Sequence, residues 1–554
     1  MAGAWAAGFV SYEAAPGLDP SLTVRLPSAG RPFADLPAAW FAIFRQAERC
    51  EPVGPPATSE SPVPVWRSES TDADFEAAVE RVRHWIAAGD TYQCNVTTRL
   101  RARVAGDLPA TYAGLAFAQR GSACAALDTG RFAVLCASPE LFFEWSGDRI
   151  TTRPMKGTAR RGRYEAEDEA LADALHASEK ERAENLMIVD LLRNDLGRIA
   201  EWGSVRVESL FSLERFPTLW QLTSTVSARP RTGTGLVDVF RALFPSGSVT
   251  GAPKRRTMEL IAELEQSPRG VYCGAVGFVA PPGEGVRARF GVPIRTVVVD
   301  RRSGEAQYGT GAGITWGSDA RLERHEVRLK ARILERPETF ELIETMAFVP
   351  GLGIRNVERH VARLCFSAGR LGFAFDRAEV AERLEEATAG LAVPKRLRLS
   401  LVRSGAVVVE VAPVPTAGAV RLAIDDEPID SSDLLMFHKT TRRAPYLERA
   451  ARHPGFDDVV LVNERGRPTE TTIANLLVKL DGRWWTPPVA AGLLPGVERG
   501  RLLDEGAVAE RDLTLEDLAM AEELAVVSSL RGRRLAVLEA EPADLVRDEA
   551  LAGG

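Results

Sequence analysis

Several short segments of this chain carry side chains that could do chemistry if the fold brings them together. In "SPELFFEWSGDRITTRPMKGTARRGR", Glu140 stands at the start of a strand-like run, and Lys156 lies in a loop bounded by Pro154 and Gly157 beyond a hairpin-like turn. A lysine in such a loop is ordinarily a solvated surface charge. Held near a carboxylic acid and buried, its pKa falls and the free amine becomes a nucleophile. "SEKERAENLMIVDLLRNDLGRI" reads as a helix with Glu181 and Glu184 on one side, and "RLERHEVRLKARIL" as another bearing Glu323, Glu326 and Lys330. Glu326 and Lys330 suit a solvent-facing ion pair one helical turn apart. Two carboxylates converging from separate helices would instead suit Mg2+, a hard cation that takes oxygen ligands and keeps several waters. "VPIRTVVVD" places Arg295 in an otherwise apolar strand, where burial requires an anionic partner, either a substrate carboxylate or a structural Asp or Glu.

Two glycine-rich turns call for comparison with nucleotide-binding patterns. "LFPSGSVTGAPKRRTMELIAELE" feeds a helix and offers backbone N–H groups to an anion. It is not a P-loop, because Gly247 and Gly251 are too close together and Lys254 does not follow a glycine. "YGTGAGITWGS" fails the dinucleotide pattern, since Ile314 stands where the last small residue belongs. Further along, "MFHKTTRRAPYLERA" contains Lys439, "VNERGRPTETTIANLLV" contains Glu470 and Asn475, and "WTPPVAAGLLPGVERGRLL" has a Gly496 turn entering a helix at Val497 and Glu498. Taken singly, these suit a surface charge, a turn or cap residue and a turn glycine.

The elements that must position these residues alternate between strand and helix. Residues 72–88 have helical periodicity, with Phe75, Val79, Val82 and Ile86 near one stripe. "RFAVLCAS" and "ELFFEW" read as strands, and residues 166–199 as one long helix. At "LERPETFELIETM" a helical run ends at Pro337 and a strand-like run begins, which predicts domains at 1–336 and 337–554. A length of 554 residues exceeds what one core supports. The stretch 51–64, rich in Pro and Ser, reads as a linker or surface loop. A net charge of −7 leaves no basic footprint for nucleic acid, and no Lys/Arg block marks a membrane surface. Six scattered cysteines without a C-x-x-C pair suit a reducing compartment. The apolar opening lacks a basic region and is broken by Glu13 and Pro16, so the chain reads as cytoplasmic.

In their order, the segments from about Gly8 to Ala331 resemble the chorismate-utilising enzymes, and within them component I of aminodeoxychorismate synthase. That resemblance implies antiparallel sheets packed as a sandwich and flanked by helices. It implies Mg2+ on Glu184 and Glu326, holding the ring carboxylate of chorismate. Arg295, Tyr272 and the backbone at Gly311 and Gly313 would hold the enolpyruvyl carboxylate, with Thr250 and Lys330 lining the site. Glu140 would be the general acid and Lys156 the nucleophile. Gln93 in "GDTYQCN" stands where isochorismate synthases carry a water-activating lysine, and Lys156 stands where anthranilate and isochorismate synthases usually carry alanine. Gln221 replaces a histidine common in relatives and receives no catalytic role. The chain opens at a segment that in relatives follows further strands, which implies either a short form or a misplaced start, with an incomplete N-terminal sheet as the expectation.

From Phe340 onward the order of Lys439, Glu470 and Gly496, together with "NVERHVARLCFSAGRLGF", resembles the fold-type IV pyridoxal phosphate (PLP) enzymes, also called class IV aminotransferases. By that resemblance Lys439 forms the Schiff base, Glu470 pairs with the pyridinium nitrogen, and Arg363 with the backbone at Val497 and Glu498 holds the phosphate. "HKTTRR" and "VSSLRG" look most like aminodeoxychorismate lyase; branched-chain and D-amino-acid aminotransferases share the cofactor residues. A homodimer through this domain is implied, although the family's opening strand and "YGDG"-type turn are missing. The combined reading is chorismate amination followed by pyruvate elimination to 4-aminobenzoate, for folate. The ammonia would come from solution or from a separate glutamine amidotransferase. The alternative, an anthranilate-type synthase fused to an aminotransferase, is disfavoured by Lys156.

Overall fold

The computed structural model describes residues 3–50, 64–119, 121–217, 219–335, 339–415 and 418–539. The Pro- and Ser-rich stretch 51–63 and the boundary at 336–338 therefore lie outside the described residues. The chain divides into two compact units, Met1–Arg161 with Ala170–Pro337, and Gly162–Glu169 with Glu338–Gly554. Among the described residues no helix is long and apolar enough to cross a membrane.

The first unit is built on two antiparallel sheets, one of nine strands and one of seven. Phe9 and Val276 from the nine-stranded sheet meet Val134, Cys136 and Val298 from the seven-stranded sheet in one buried cluster, so the sheets pack face to face. Helices cover the outer faces. Phe75, Val79 and Val82 of the Asp72–Ala87 helix pack with Cys94, Val96, Ala312 and Ile314 of the seven-stranded sheet. That helix starts where the sequence places it because Thr71 and Asp74 form a reciprocal capping box. On the other sheet, Val189 and Leu196 join a core with Phe142, Phe143 and Val226.

The structure departs from the sequence reading in three places. The long helix expected over 166–199 is two helices, Glu165–Ala177 and Glu179–Gly197. They are separated by Ser178, whose backbone is extended and whose side chain accepts a hydrogen bond from the Glu181 N–H at 3.4 Å. Lys156 lies not in a loop but in the strand Met155–Arg160. Arg295 sits just before the strand Thr296–Asp300, in the left-handed region at φ 52°.

In the second unit, a four-stranded antiparallel sheet packs against the helices Val357–Leu371 and Arg377–Thr388 through Leu342, Leu364, Val380 and Leu397. A mixed eight-stranded sheet has its own core of Val420, Val460, Leu476 and Val526. Lys439 lies between the lobes, its backbone carbonyl accepting from Ile343 N–H at 2.9 Å.

Candidate functional sites

A cavity of about 150 Å3 in the first unit is lined by Glu140, Lys156, Glu184, Tyr272, Arg295, Gly311, Gly313, Glu326 and Lys330, among others. A strand irregularity points Lys156 into it. The Met155–Arg160 strand pairs with Leu219–Ala228 so that Thr158 faces Gln221 and Met155 faces Thr223. Lys156 and Gly157 are thus two residues opposite one, a bulge that glycine permits at φ 90°. The carbonyls freed by the bulge are caught by side chains. Asn185 Nδ2 donates to Lys156 O at 3.1 Å and to Leu222 O at 3.4 Å, and Gln221 Nε2 donates to Gly157 O at 2.9 Å. Burial pushes the Lys156 ammonium below its ordinary pKa, with the Glu184 carboxylate opposing. More of the side chain is therefore free amine than in water.

Glu140 bridges two strands, Phe132–Ser138 and Leu141–Ser146, and is buried. Its Oε1 accepts from Ser248 Oγ at 2.5 Å, and burial raises its pKa to about 7. It can thus carry a proton near neutrality, as a general acid must. Four glutamates from two helices line the same cavity: Glu181 and Glu184 on Glu179–Gly197, and Glu323 and Glu326 on Ala320–Ala331. Burial and then the Glu184 charge raise Glu181, and burial and then the Glu326 charge push Glu323 to about 7. This excess of negative charge suits a divalent cation. No three such side chains among the described residues are arranged to hold a metal alone, so a cation here would share its ligands with water and substrate.

Lys330 Nζ lies 2.5 Å from Glu326 Oε1 and donates to Gly311 O at 2.9 Å. The ion pair expected from spacing therefore exists, but on the cavity wall. Arg295 has no acidic partner within ion-pair distance among the described residues, and its Nη1 reaches only the Lys330 carbonyl at 3.4 Å. Its guanidinium is open to an anion. Gly309, Gly311 and Gly313 alternate along one face of the strand Glu305–Ile314. A Cβ at Gly309 would come 2.3 Å from the Tyr272 ring, and one at Gly313 would come 2.5 Å from Lys156 Nζ and 2.7 Å from Gln93 Nε2. Gln93 is fully buried, and neither its Nε2 nor its Oε1 has a hydrogen-bond partner among the described residues. Thr250 does not line the cavity; it is buried, donating to Ser246 O at 3.0 Å.

The second unit has a cleft of about 270 Å3 lined by Arg363, Lys439, Glu470, Val497 and Glu498, with Asn475 and Ser529. Burial, then the nearby Arg363, lowers Lys439 to about 8. Glu470 is buried, accepts from Asn475 Nδ2 at 3.1 Å and Leu494 N–H at 3.2 Å, and is pushed by burial to about 8. A buried carboxyl without an ion-pair partner among the described residues suits a cation such as a protonated ring nitrogen. Gly496 caps the helix Val497–Asp504, where a Cβ would come 1.8 Å from Asn475 Oδ1. Gly496, Val497 and Glu498 at the start of that helix line the cleft, and a helix N-terminus offers backbone N–H groups to an anion. Glu498 spends its own carboxylate on Arg501 at 2.7 Å and Asn356 at 2.9 Å, so only its backbone is available to an anion.

Arg363 is less free than its sequence suggests. Its Nε and Nη2 donate to Glu344 at 2.8 and 2.6 Å, and Glu344 also meets His360 Nδ1 at 2.6 Å. His360 Nε2 in turn lies 2.7 Å from Ser529 Oγ. Sequence reasoning missed Glu344, although a lone carboxylate inside the apolar strand run "LIETMAFV" is a visible signal for a buried partner. It also missed Asn185, which nothing in its helical pattern marks.

Residues 2–336 match the family model for chorismate binding enzymes, and residues 341–535 match that for class IV amino-transferases. Anthranilate synthase component 1 of Aquifex aeolicus is 41% identical over 269 residues, covering 49% of this chain and 53% of that protein. Aminodeoxychorismate synthase component 1 of Bacillus subtilis is 39% identical over 266 residues, covering 48% and 56%. The chain thus spans about half the length of these curated relatives. The crystal structure of anthranilate synthase component I from Streptococcus pneumoniae is 28% identical, with a TM-score of 0.51, and the match covers 60% of this chain and 81% of that one. With more than half its length matched, the chain belongs to the chorismate binding enzyme family and carries a class IV aminotransferase domain in the same polypeptide.

Proposed function

We propose that the chain converts chorismate and ammonia to 4-aminobenzoate and pyruvate in two steps, one in each unit. The observation that carries this reading is Lys156, a desolvated amine lining the same cavity as a Glu140 carboxyl that stays protonated near neutrality. Relatives of both amination types match about equally well, so the choice rests on that lysine. Arg295 and the glycine stripe would take the enolpyruvyl carboxylate, and Glu184 and Glu326 would hold Mg2+. Bound there, the ion would neutralise the ring carboxylate.

Glu140 gives its proton to the C4 hydroxyl, which leaves as water while the Lys156 amine bonds to C2 and the diene shifts. Ammonia then bonds to C4, the Lys156 bond to C2 breaks, and the surplus proton returns to Glu140. The ammonia comes from solution or from a separate glutamine amidotransferase partner.

In the second unit Lys439, Glu470, Arg363 and the Val497–Glu498 backbone would hold PLP, which when bound acts as an electron sink beside the substrate amine. Lys439 Nζ takes the proton from the aminated carbon, the ring C–O bond breaks, and the departing enolpyruvate gains a proton to become pyruvate. The test is to supply chorismate, ammonium, Mg2+ and PLP and to identify the aromatic product by mass and amine position. 4-Aminobenzoate is expected; 2-aminobenzoate would overturn the reading.

A further inference from the structure

The cleft of the second unit holds more cationic side chains than a cofactor phosphate requires. Arg363, Arg396, Arg442, Arg443 and Arg531 all line it. Three of them are engaged: Arg363 with Glu344, Arg442 with Asp433 at 3.1 Å, and Arg443 with the Thr472 carbonyl. Arg396 and Arg531 are not. Neither has an acidic or hydrogen-bonding partner among the described residues, and the Nε of each is buried and unpaired. Leaving a desolvated guanidinium N–H without an acceptor is costly, so a pair of them in one cleft marks a place where anions bind.

The two come from different lobes. Arg396 lies on the strand Lys395–Leu401 of the small sheet, opposite Ala347. Arg531 lies in the turn joining the strands Glu523–Ser528 and Gly532–Leu538 of the larger sheet. Lys439 and Glu470 line the same cleft.

We infer that Arg396 and Arg531 form a two-point clamp for the two carboxylates of a dicarboxylic amine and so determine which substrate the second unit accepts. This rests on the proposed function, whose intermediate carries two carboxylates, one on the ring and one on its enolpyruvyl ether. An amine with a single carboxylate leaves one guanidinium unpaired and binds more weakly.

The test uses the full-length protein loaded with PLP. Isophthalate, a benzene dicarboxylate, and benzoate are titrated while the visible cofactor absorbance is followed, and KM for aminodeoxychorismate is measured in parallel. Wild type should bind isophthalate roughly tenfold or more tighter than benzoate. Arg396→Gln and Arg531→Gln should each collapse that preference and raise KM more than they lower kcat, while Arg→Lys at either position should restore part of it. Retained absorbance shows that each variant is folded and loaded. An unchanged preference and KM in both Gln variants overturns the clamp. If wild type shows the preference but does not turn over aminodeoxychorismate, the clamp stands and the lyase reading falls.

Discussion

Replacing Glu140 by Gln separates its chemistry from its cost to the fold. The carboxyl is buried, and its pKa rises from an ordinary 4.5 to about 7, chiefly through burial. A folded-state pKa above the unfolded value means that the native protein binds the proton more tightly. The associated stability is fully present below the unfolded pKa and is lost as pH rises through the folded one. The window therefore runs from about pH 4.5 to about pH 7, and above it the ionised carboxylate destabilises the first unit by about 3 kcal/mol. Glutamine keeps an acceptor for Ser248 Oγ but never ionises. Its new N–H groups add an offset that does not depend on pH. Urea denaturation of both proteins at about pH 5 and about pH 8.5 should show the variant gaining about 2 to 3 kcal/mol on wild type between the two conditions. Comparing variants cancels the contribution of the second unit. Chorismate amination should be lost in Glu140→Gln at both pH values. A stability difference that is the same at both would refute the argument that burial keeps this carboxyl protonated.

Further outcomes follow from the same geometry. Lys156→Ala should lower amination by about three orders of magnitude or more while still converting supplied aminodeoxychorismate to 4-aminobenzoate; ordinary amination would sink the nucleophile assignment. Glu326→Gln should raise the half-saturating Mg2+ concentration about tenfold or more, whereas an unaltered titration would leave Glu326 as only the partner of Lys330. Lys439→Ala should lose the visible absorbance of bound PLP, and mixing it with Lys156→Ala should restore 4-aminobenzoate production after a lag, monitored by product mass. Asn185→Ala strands the carbonyls of Lys156 and Leu222 and the hydroxyl of Ser224, which donates to Asn185 Oδ1 at 2.6 Å. It should cost about 3 kcal/mol in denaturation midpoint measurements and lower kcat for amination more than it changes KM.

Much of the first unit was legible in its amphipathic patterns. The Asp72–Ala87 helix and the strands Phe132–Ser138 and Leu141–Ser146 follow directly from apolar spacing and caps. Lys156 was misplaced into a loop because Pro154 and Gly157 are ordinary loop residues, and a bulge uses the same glycine freedom within a paired strand. The break at Ser178 was missed because a serine inside a charged, helix-favouring run gives only a weak stop signal. The carboxylates at helical spacing were visible, but spacing cannot say whether Glu326 faces water or a cavity. Thr250 was placed in the site by the family resemblance alone, and its hydroxyl instead donates to Ser246 O within the turn. Arg396 carries no motif, and Arg531 lies in the "VSSLRG" run that resembles the lyases without its role being legible there; the absence of partners in the folded cleft is what draws the two together.

The two-against-one register at Lys156 and Gly157 makes this segment unusually sensitive to length. Side chains along a strand alternate between faces, so removing one residue between Met155 and Thr158 would restore an even ladder with the Leu219–Ala228 strand. The lysine would then be turned to the other face or lost from the pairing altogether. A deletion of that kind leaves the other charged groups of the cavity, among them Glu140, Glu184, Arg295 and Glu326, in place. Chain length at this point therefore matters alongside residue identity, because the same lysine one residue out of register would no longer be presented to the cavity.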